Sequence, residues 1–227
     1  IIAALTLAPD GDLAIDPKGL MAVEHYLVVR NLMYRSVYTH RLNVVCNWML
    51  EHLIRLTRQL GADRVWCDPV MAIWLWEPDA LTPEAFLAND DLRTGYHLQR
   101  WAEEAPAPLA SLCARFLDRR LLKATAVGHL NPSEQLEALT LARRLSEQTG
   151  MDPEHCCGLR HQQIRGYHPY RGGLRLWDGV MLQGLEQVSA LVQSLSTPAA
   201  TAWLIHPREI QSDLRQALQS ENFIHGA

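Results

Sequence analysis

The chain lacks any apolar run long enough to cross a membrane, and no basic stretch leads into a hydrophobic segment and cleavage site near its start. Neither a membrane partner nor a secretory signal is therefore expected. Cysteine is sparse and scattered: Cys46, Cys67, Cys113, Cys156 and Cys157 form an odd set without framework spacing, which predicts reduced thiols and a cytoplasmic setting. Neither sign of charge dominates. With 21 Lys and Arg against 25 Asp and Glu, interspersed and summing to −4, there is no basic field of the kind nucleic acid requires, and no nucleic-acid partner is expected. A Walker loop, a dinucleotide-binding glycine pattern and a nucleophile elbow are all missing. So is an initiator methionine: the chain opens on Ile1-Ile2 inside an apolar run and reads as the tail of something longer. What is present is a 48% hydrophobic chain of 227 residues, ample for a buried core in one large domain or a domain and a half.

The opening "IIAALTLAPDGDLAID" sets two short apolar runs around Pro9-Asp10-Gly11 and predicts a β-hairpin. Asp16-Pro17 then supplies an N-cap with Pro at the first helical position. From Gly19 to Leu60 apolar residues recur at Val23, Leu27, Met33, Val37, Val44, Trp48, Leu53 and Leu56, mostly in steps of three, four or seven, with Gly61 as a stop. A helix this long must be largely enclosed or else broken in the middle. Further helices are expected over "VWCDPVMAIWLW", over "TPEAFLANDDLRTGYHLQRWAEE" starting at Thr82-Pro83, over "APLASLCARFLDRRLLKATAV", and from Asn131-Pro132-Ser133 to Gly150. The period then changes. "LRLWDGVMLQGL" is a hairpin across Asp178-Gly179, followed by a short helix from Val188 to Leu195, a strand "TAWLI" and a last helix from Pro207 to about Leu218. The expected class is mainly α, with a boundary near Gly128 dividing a helical part, 1–128, from a small α+β part, 129–227.

Chemistry is concentrated in "VVRNLMYRSVYTHR". Arg30, Tyr34, Tyr38 and Arg41 fall at steps of four, four and three, so on a continuous helix they make one polar-aromatic stripe. Arginine grips phosphate as a planar charged fork, and tyrosine offers a ring for stacking and a hydroxyl to donate, a combination suited to a nucleoside phosphate. The plainer alternative is an amphipathic rim with snorkelling Arg stems and solvated Tyr hydroxyls. "EHCCGLRHQQIRGYH" gathers His155, Cys156, Cys157, His161 and His168, but adjacent cysteines lack zinc-knuckle spacing and a structural reading is favoured. Asp90-Asp91 reads as a helix cap, because adjacent helical side chains diverge. Arg119, Arg120 and Lys123 are either a solvated helix face or an anion site in which Arg119 and Lys123, one turn apart, share a phosphate.

The stretch "IDPKGLMAVEHYLVVRNLMYRSVYTHR" closely resembles the segment that follows the catalytic core in HD-domain phosphohydrolases of the deoxynucleoside triphosphate triphosphohydrolase branch. The likeness continues through "DDLRTGYHLQRWAEE", "LDRRLLKATAV", "YHPYRGG" and "AWLIHPREI". The resemblance implies that Arg30 meets the phosphate tail of a nucleotide, Tyr34 lies near the reacting phosphates, Tyr38 walls the sugar where a 2′-hydroxyl would sit, and Thr39 lies at the base edge. It further implies that Lys18, His40, Arg41, Arg119 and Lys123 hold a regulatory nucleotide between subunits of a homo-oligomer. Ser36 and Thr39 depart from residues commoner in those relatives, a basic one and an amide.

The same resemblance implies a divalent metal cofactor bound by a His, an adjacent His-Asp pair and a later Asp, activating water for attack on phosphorus. None of the ten histidines here precedes an Asp. The expectation is therefore that the metal ligands lie outside this chain, and that it is the C-terminal portion of an enzyme hydrolysing deoxynucleoside triphosphates to deoxynucleoside and triphosphate, inactive by itself. A non-catalytic module for oligomerisation or nucleotide sensing is the alternative.

Overall fold

The computed structural model describes residues 2–169 and 173–224. Tyr170, Arg171 and Gly172 of "YHPYRGG" lie outside them. Among the described residues the chain is mainly α with two small sheets, as expected. It divides by packing into two units, one of residues 1–40 and 161–201, the other of residues 41–160 and 202–227. That division is a different cut from the one expected near Gly128, because the chain leaves the first unit at His40 and returns to it late.

In the first unit β1 (Leu5–Leu7) and β2 (Leu13–Ile15) form the expected antiparallel hairpin, with Leu5 opposite Ile15. β2 runs parallel to β5 (Arg175–Trp177), which pairs antiparallel with β6 (Leu182–Gly184) across the Asp178-Gly179 turn, where Gly179 takes φ +93°. Asp16 caps a 3-10 turn over Pro17–Gly19 by accepting from the Lys18 N–H, and α1 (Leu20–Met33) follows. Its inner face, Val23 and Leu27, packs with Ile15, Tyr167, Leu176, Leu185 and Val192 into a small core.

The long helix predicted to Leu60 is broken. α1 passes into a π turn at Tyr34–Tyr38, the Thr39 N–H closes on the Tyr34 carbonyl, and a new helix, α2 (Arg41–Leu60), begins in the second unit. Gly61 at φ +84° ends it. Next come α3 (Pro69–Trp76), α4 (Pro83–Ala88), α5 (Asp91–Glu104) and α6 (Ala107–Leu117). The helix expected over 82–104 is therefore two, because the Asp90 carboxylate accepts from the Arg93 N–H and restarts the chain. The helix expected over 107–127 stops at Leu117. Lys123–Ala126 is instead a strand, β3, antiparallel to β7 (Ala199–His206) with Lys123 opposite His206.

α7 (Pro132–Gln148) starts on a capping box between Asn131 and Glu134, and α8 (Pro153–Cys156) leads into β4 (Gly158–Ile164), a strand the sequence reading did not predict. The sheet order is β3-β7-β4. α9 (Leu185–Val188), α10 (Ala190–Ser196) and α11 (Gln211–Ser220) complete the described elements. The larger core lies in the second unit, where Met49, Leu53, Trp101, Leu109, Leu204 and Leu214 are among its buried members. No helix among the described residues is long and apolar enough to cross a membrane.

Candidate functional site

α1 has a second apolar face besides the one in the core. Tyr26, Val29 and Met33 follow one another at steps of three and four and are exposed, as is Val37 in the π turn that follows. Large apolar side chains on both sides of a helix are the pattern of a helix buried all round. Beside that outer face runs the polar stripe.

Half-buried Arg30 donates from Nη1 to the Gly166 carbonyl at 3.2 Å and from Nη2 to the Tyr34 hydroxyl at 3.2 Å, with its guanidinium carbon 4.4 Å from the Tyr34 ring centroid. Tyr34 and Tyr38 are tilted neighbours with centroids 5.0 Å apart. Gly166 was not singled out from sequence. A Cβ there would meet Asn31 Oδ1 at 3.0 Å and Leu195 Cδ2 at 2.9 Å, so a larger residue would have to displace those two side-chain ends.

The structure thus brings Arg30, Tyr34 and Tyr38 into one cluster. Thr39 adjoins it and turns inward, donating its hydroxyl to the Tyr34 carbonyl at 2.9 Å and the Arg35 carbonyl at 3.3 Å. Arg41 does not continue the stripe: the π turn ends the helix, and Arg41 opens α2 in the other unit. Chemically, two of the five N–H donors of Arg30 are committed to these acceptors, and Tyr34, accepting from Arg30, keeps its own hydroxyl proton for a further acceptor. The arrangement suits an anion bearing a flat group.

The residues expected to hold a regulatory nucleotide fall in both units. Lys18 and His40 are exposed in the first, on the 3-10 turn and in the break before α2. Arg41, Arg119 and Lys123 are in the second. Arg119, at φ 56° in the turn after α6, lies close enough to α2 to act electrostatically on Cys46. Lys123 is on β3, so the shared phosphate grip expected from one helical turn between Arg119 and Lys123 is not formed that way. Arg120 pairs with Asp118.

The histidine-cysteine segment is resolved into parts. His52 on α2 stacks on Trp48 at 4.9 Å and 6° and contacts His155 on α8, its Nε2 3.3 Å from His155 Nδ1. Arg55 lies 2.8 Å from His52 Nδ1 and can only donate, so the His52 proton sits on Nε2 and points to His155. His155 Nε2 faces the Asp152 carboxylate at 3.5 Å. Burial, Arg55 and His155 together push the His52 pKa down to about 4. The only sequence signal for this relay is Trp48, His52 and Arg55 on one helical face.

Asp152, His155 and Cys156 line a cavity of about 260 Å³ with Ser111, Arg115 and Met151. Among the described residues no three His, Cys, Asp or Glu side chains are grouped to hold a metal ion. The divalent centre implied by the resemblance does not fit the residues described, and no catalytic step is derived through it.

Comparison with known proteins adds the following. Residues 1–64 match the family model described as HD associated region. Over 214 residues the chain is 26% identical to the uncharacterized protein YwfO of Bacillus subtilis, covering 90% of this chain and 49% of that one. A solved phosphohydrolase from Bacteroides thetaiotaomicron shares the fold with TM-score 0.74 at 21% identity, over 92% of this chain and 55% of that one. A hypothetical protein from Aquifex aeolicus does so with TM-score 0.63 at 18% identity, over 96% and 50%. The chain spans about half the length of these relatives. The family model matches residues 1–64 alone, and the two solved structures, at 21% and 18% identity, show a shared fold.

Proposed function

We propose that this chain supplies the substrate wall of a metal-dependent phosphohydrolase acting on deoxynucleoside triphosphates, with the metal centre contributed by residues other than those described. The observation that carries the reading is the Arg30 guanidinium, held between the Gly166 carbonyl and the Tyr34 hydroxyl with donors left over. Arg30 neutralises charge on the phosphate tail, Tyr34 donates its remaining proton to a phosphate oxygen, and Tyr38 offers a ring edge to the sugar. Thr39 spends its hydroxyl proton on the π turn, so toward a base it presents only acceptor lone pairs. The exposed apolar face of α1 is then the seat of the catalytic part of the longer protein. A regulatory nucleotide on Lys18, His40, Arg41, Arg119 and Lys123, shared between subunits of a homo-oligomer, belongs to the same proposal.

The test uses the longer protein that contains this chain. Arg30→Ala is expected to lower kcat/KM for triphosphate release by about 10²–10³, the size of losing one preorganised donor to a phosphoryl group, while bound metal stays at the wild-type level. Unchanged turnover, or loss of metal in step with activity, overturns the assignment of Arg30. The 227-residue chain by itself is expected to release no triphosphate.

A further inference from the structure

The main-chain acceptor of Arg30 is itself anchored. The Gly166 carbonyl, which takes the Arg30 Nη1 bond at 3.2 Å, shares its peptide group with the Tyr167 N–H. That peptide is trans and planar, so its carbonyl and its N–H point in opposite directions. The N–H donates to the Leu195 carbonyl at 3.1 Å. Leu195 is in the last turn of α10, where a carbonyl has no partner within its own helix, so this bond completes the helix end while it fixes the peptide plane. One rigid unit reaches from α10 to the guanidinium on α1.

The Tyr167 side chain secures the same unit. Its ring, 5% exposed, lies in the small core with Val23, Leu27, Leu185 and Val192. Its hydroxyl accepts from the Leu174 N–H at 2.7 Å, and the Leu174 carbonyl accepts from the Leu185 N–H at 2.9 Å, one step beyond the paired strands β5 and β6. Gly173 makes room for the hydroxyl: it takes φ +75°, and a Cβ there would lie 2.5 Å from the Tyr167 oxygen.

We infer that Tyr167 is a positioning residue for Arg30, its hydroxyl bond to Leu174 setting the direction in which the Gly166 carbonyl holds the guanidinium. The role rests on the reading of Arg30 as the residue that meets the phosphate tail. A phenylalanine ring would fill the core equally well, so the hydroxyl has a separate task. With the ring tied at its far end and the main chain tied at Leu195, the Gly166–Tyr167 peptide is held against turning its carbonyl away from α1. Without that carbonyl Arg30 keeps only the Tyr34 hydroxyl, one turn away on its own helix, and the long side chain regains rotamers open to it on a helix surface. The incoming anion then has to order the guanidinium, which weakens binding.

The test uses the longer protein that contains this chain. Tyr167→Phe keeps the ring and removes the hydroxyl, whereas Gly173→Ala keeps the hydroxyl and drives a methyl group into its place. In either variant Arg30 should react with phenylglyoxal roughly two- to tenfold faster than in wild type, the weight of one hydrogen bond, as read by mass spectrometry of its peptide. Arg58, which donates to the Trp74 carbonyl in the other unit, should keep its wild-type rate. In Tyr167→Phe, kcat/KM for triphosphate release should fall about tenfold, the effect of a displaced rather than a missing group. Because Tyr167 acts through Arg30, Tyr167→Phe should lower kcat/KM no further in an Arg30→Ala background, whereas a purely structural loss would multiply.

Wild-type labelling of Arg30 in both variants, a rise at Arg58 in step with Arg30, or losses that multiply in the double variant overturn the positioning role. So does unchanged turnover in Tyr167→Phe where Arg30→Ala lowers it. If Arg30→Ala itself leaves turnover unchanged, the labelling decides: faster reaction at Arg30 alone keeps Tyr167 as its positioning residue, and only the phosphate assignment of Arg30 falls.

Discussion

At the scale of single residues, His52 shows how burial and a fixed proton arrangement turn into a pH dependence. Its Nδ1 accepts from Arg55, so protonating the ring would set two cations against each other in a largely buried place. The unfolded chain takes up this proton near the ordinary histidine value of 6.5, whereas the folded chain resists it down to about 4. Because the unfolded state binds the proton first, acid favours unfolding: the stability His52 confers is complete above about 6.5 and declines as pH falls toward 4. His206 adds to the decline with the same sign, since burial lowers its pKa while Nδ1 donates to the Pro207 carbonyl and Nε2 accepts from Thr125. Urea midpoints should therefore fall between about pH 7 and about pH 4.5, and His52→Gln, which keeps an acceptor for Arg55 without a titrating ring, should show a shallower fall by on the order of 2 kcal/mol. Parallel curves for the two proteins would mean that His52 takes its proton at the same pH folded and unfolded.

At the scale of elements, the strongest local signals act where side chains close backbone groups. Asn131 accepts from the Ser133 and Glu134 N–H groups while the Glu134 carboxylate accepts from the Asn131 N–H. Asn131→Ala should cost about 1 kcal/mol, read as a lowered urea midpoint with unchanged slope; a changed slope would mean that α7 starts elsewhere or that unfolding is no longer two-state. Signals of this kind were legible from residue types alone: Asp16, Thr82 and Asn131 begin helical turns as expected, and Gly61 and Gly179 end or turn the chain as expected. What stayed hidden was decided at a distance. Lys123–Ala126 carries no strand pattern and extends because β7 pairs with it, and Gly158–Ile164 is β4 for the same kind of reason. A break was one of the two outcomes expected of so long a helix, but its place at Tyr34–Tyr38 was unreadable, since "MYRSVYTH" has neither Pro nor Gly; the widened turn is held by the Thr39 N–H and hydroxyl reaching back to Tyr34. Of the proposed substrate cluster, the order Arg30, Tyr34, Tyr38 was visible as a spacing, but Gly166 was not, because its contribution is a carbonyl brought in from 136 residues away.

At the scale of the whole molecule, two separate cores make two different stabilities. The first unit gathers Ile15, Val23, Leu27, Tyr167, Leu176, Leu185 and Val192 around one face of α1, whereas the second buries a much larger set that runs from Val44 on α2 to Leu218 on α11. Stability follows apolar burial, so the smaller core is the first to open and leaves its backbone amides less protected. Removing a fully buried leucine to alanine costs about 2–5 kcal/mol, a larger fraction of what the small core supplies. In hydrogen exchange followed by mass spectrometry, Leu185→Ala should speed exchange in β2, β5, β6 and α1 while leaving α2 and α7 at wild-type rates. Leu53→Ala should do the reverse, with its acceleration centred on α2 and β3. If either substitution speeds exchange evenly through all of these elements, the two cores open as one cooperative unit and the ranking of their stabilities has no meaning.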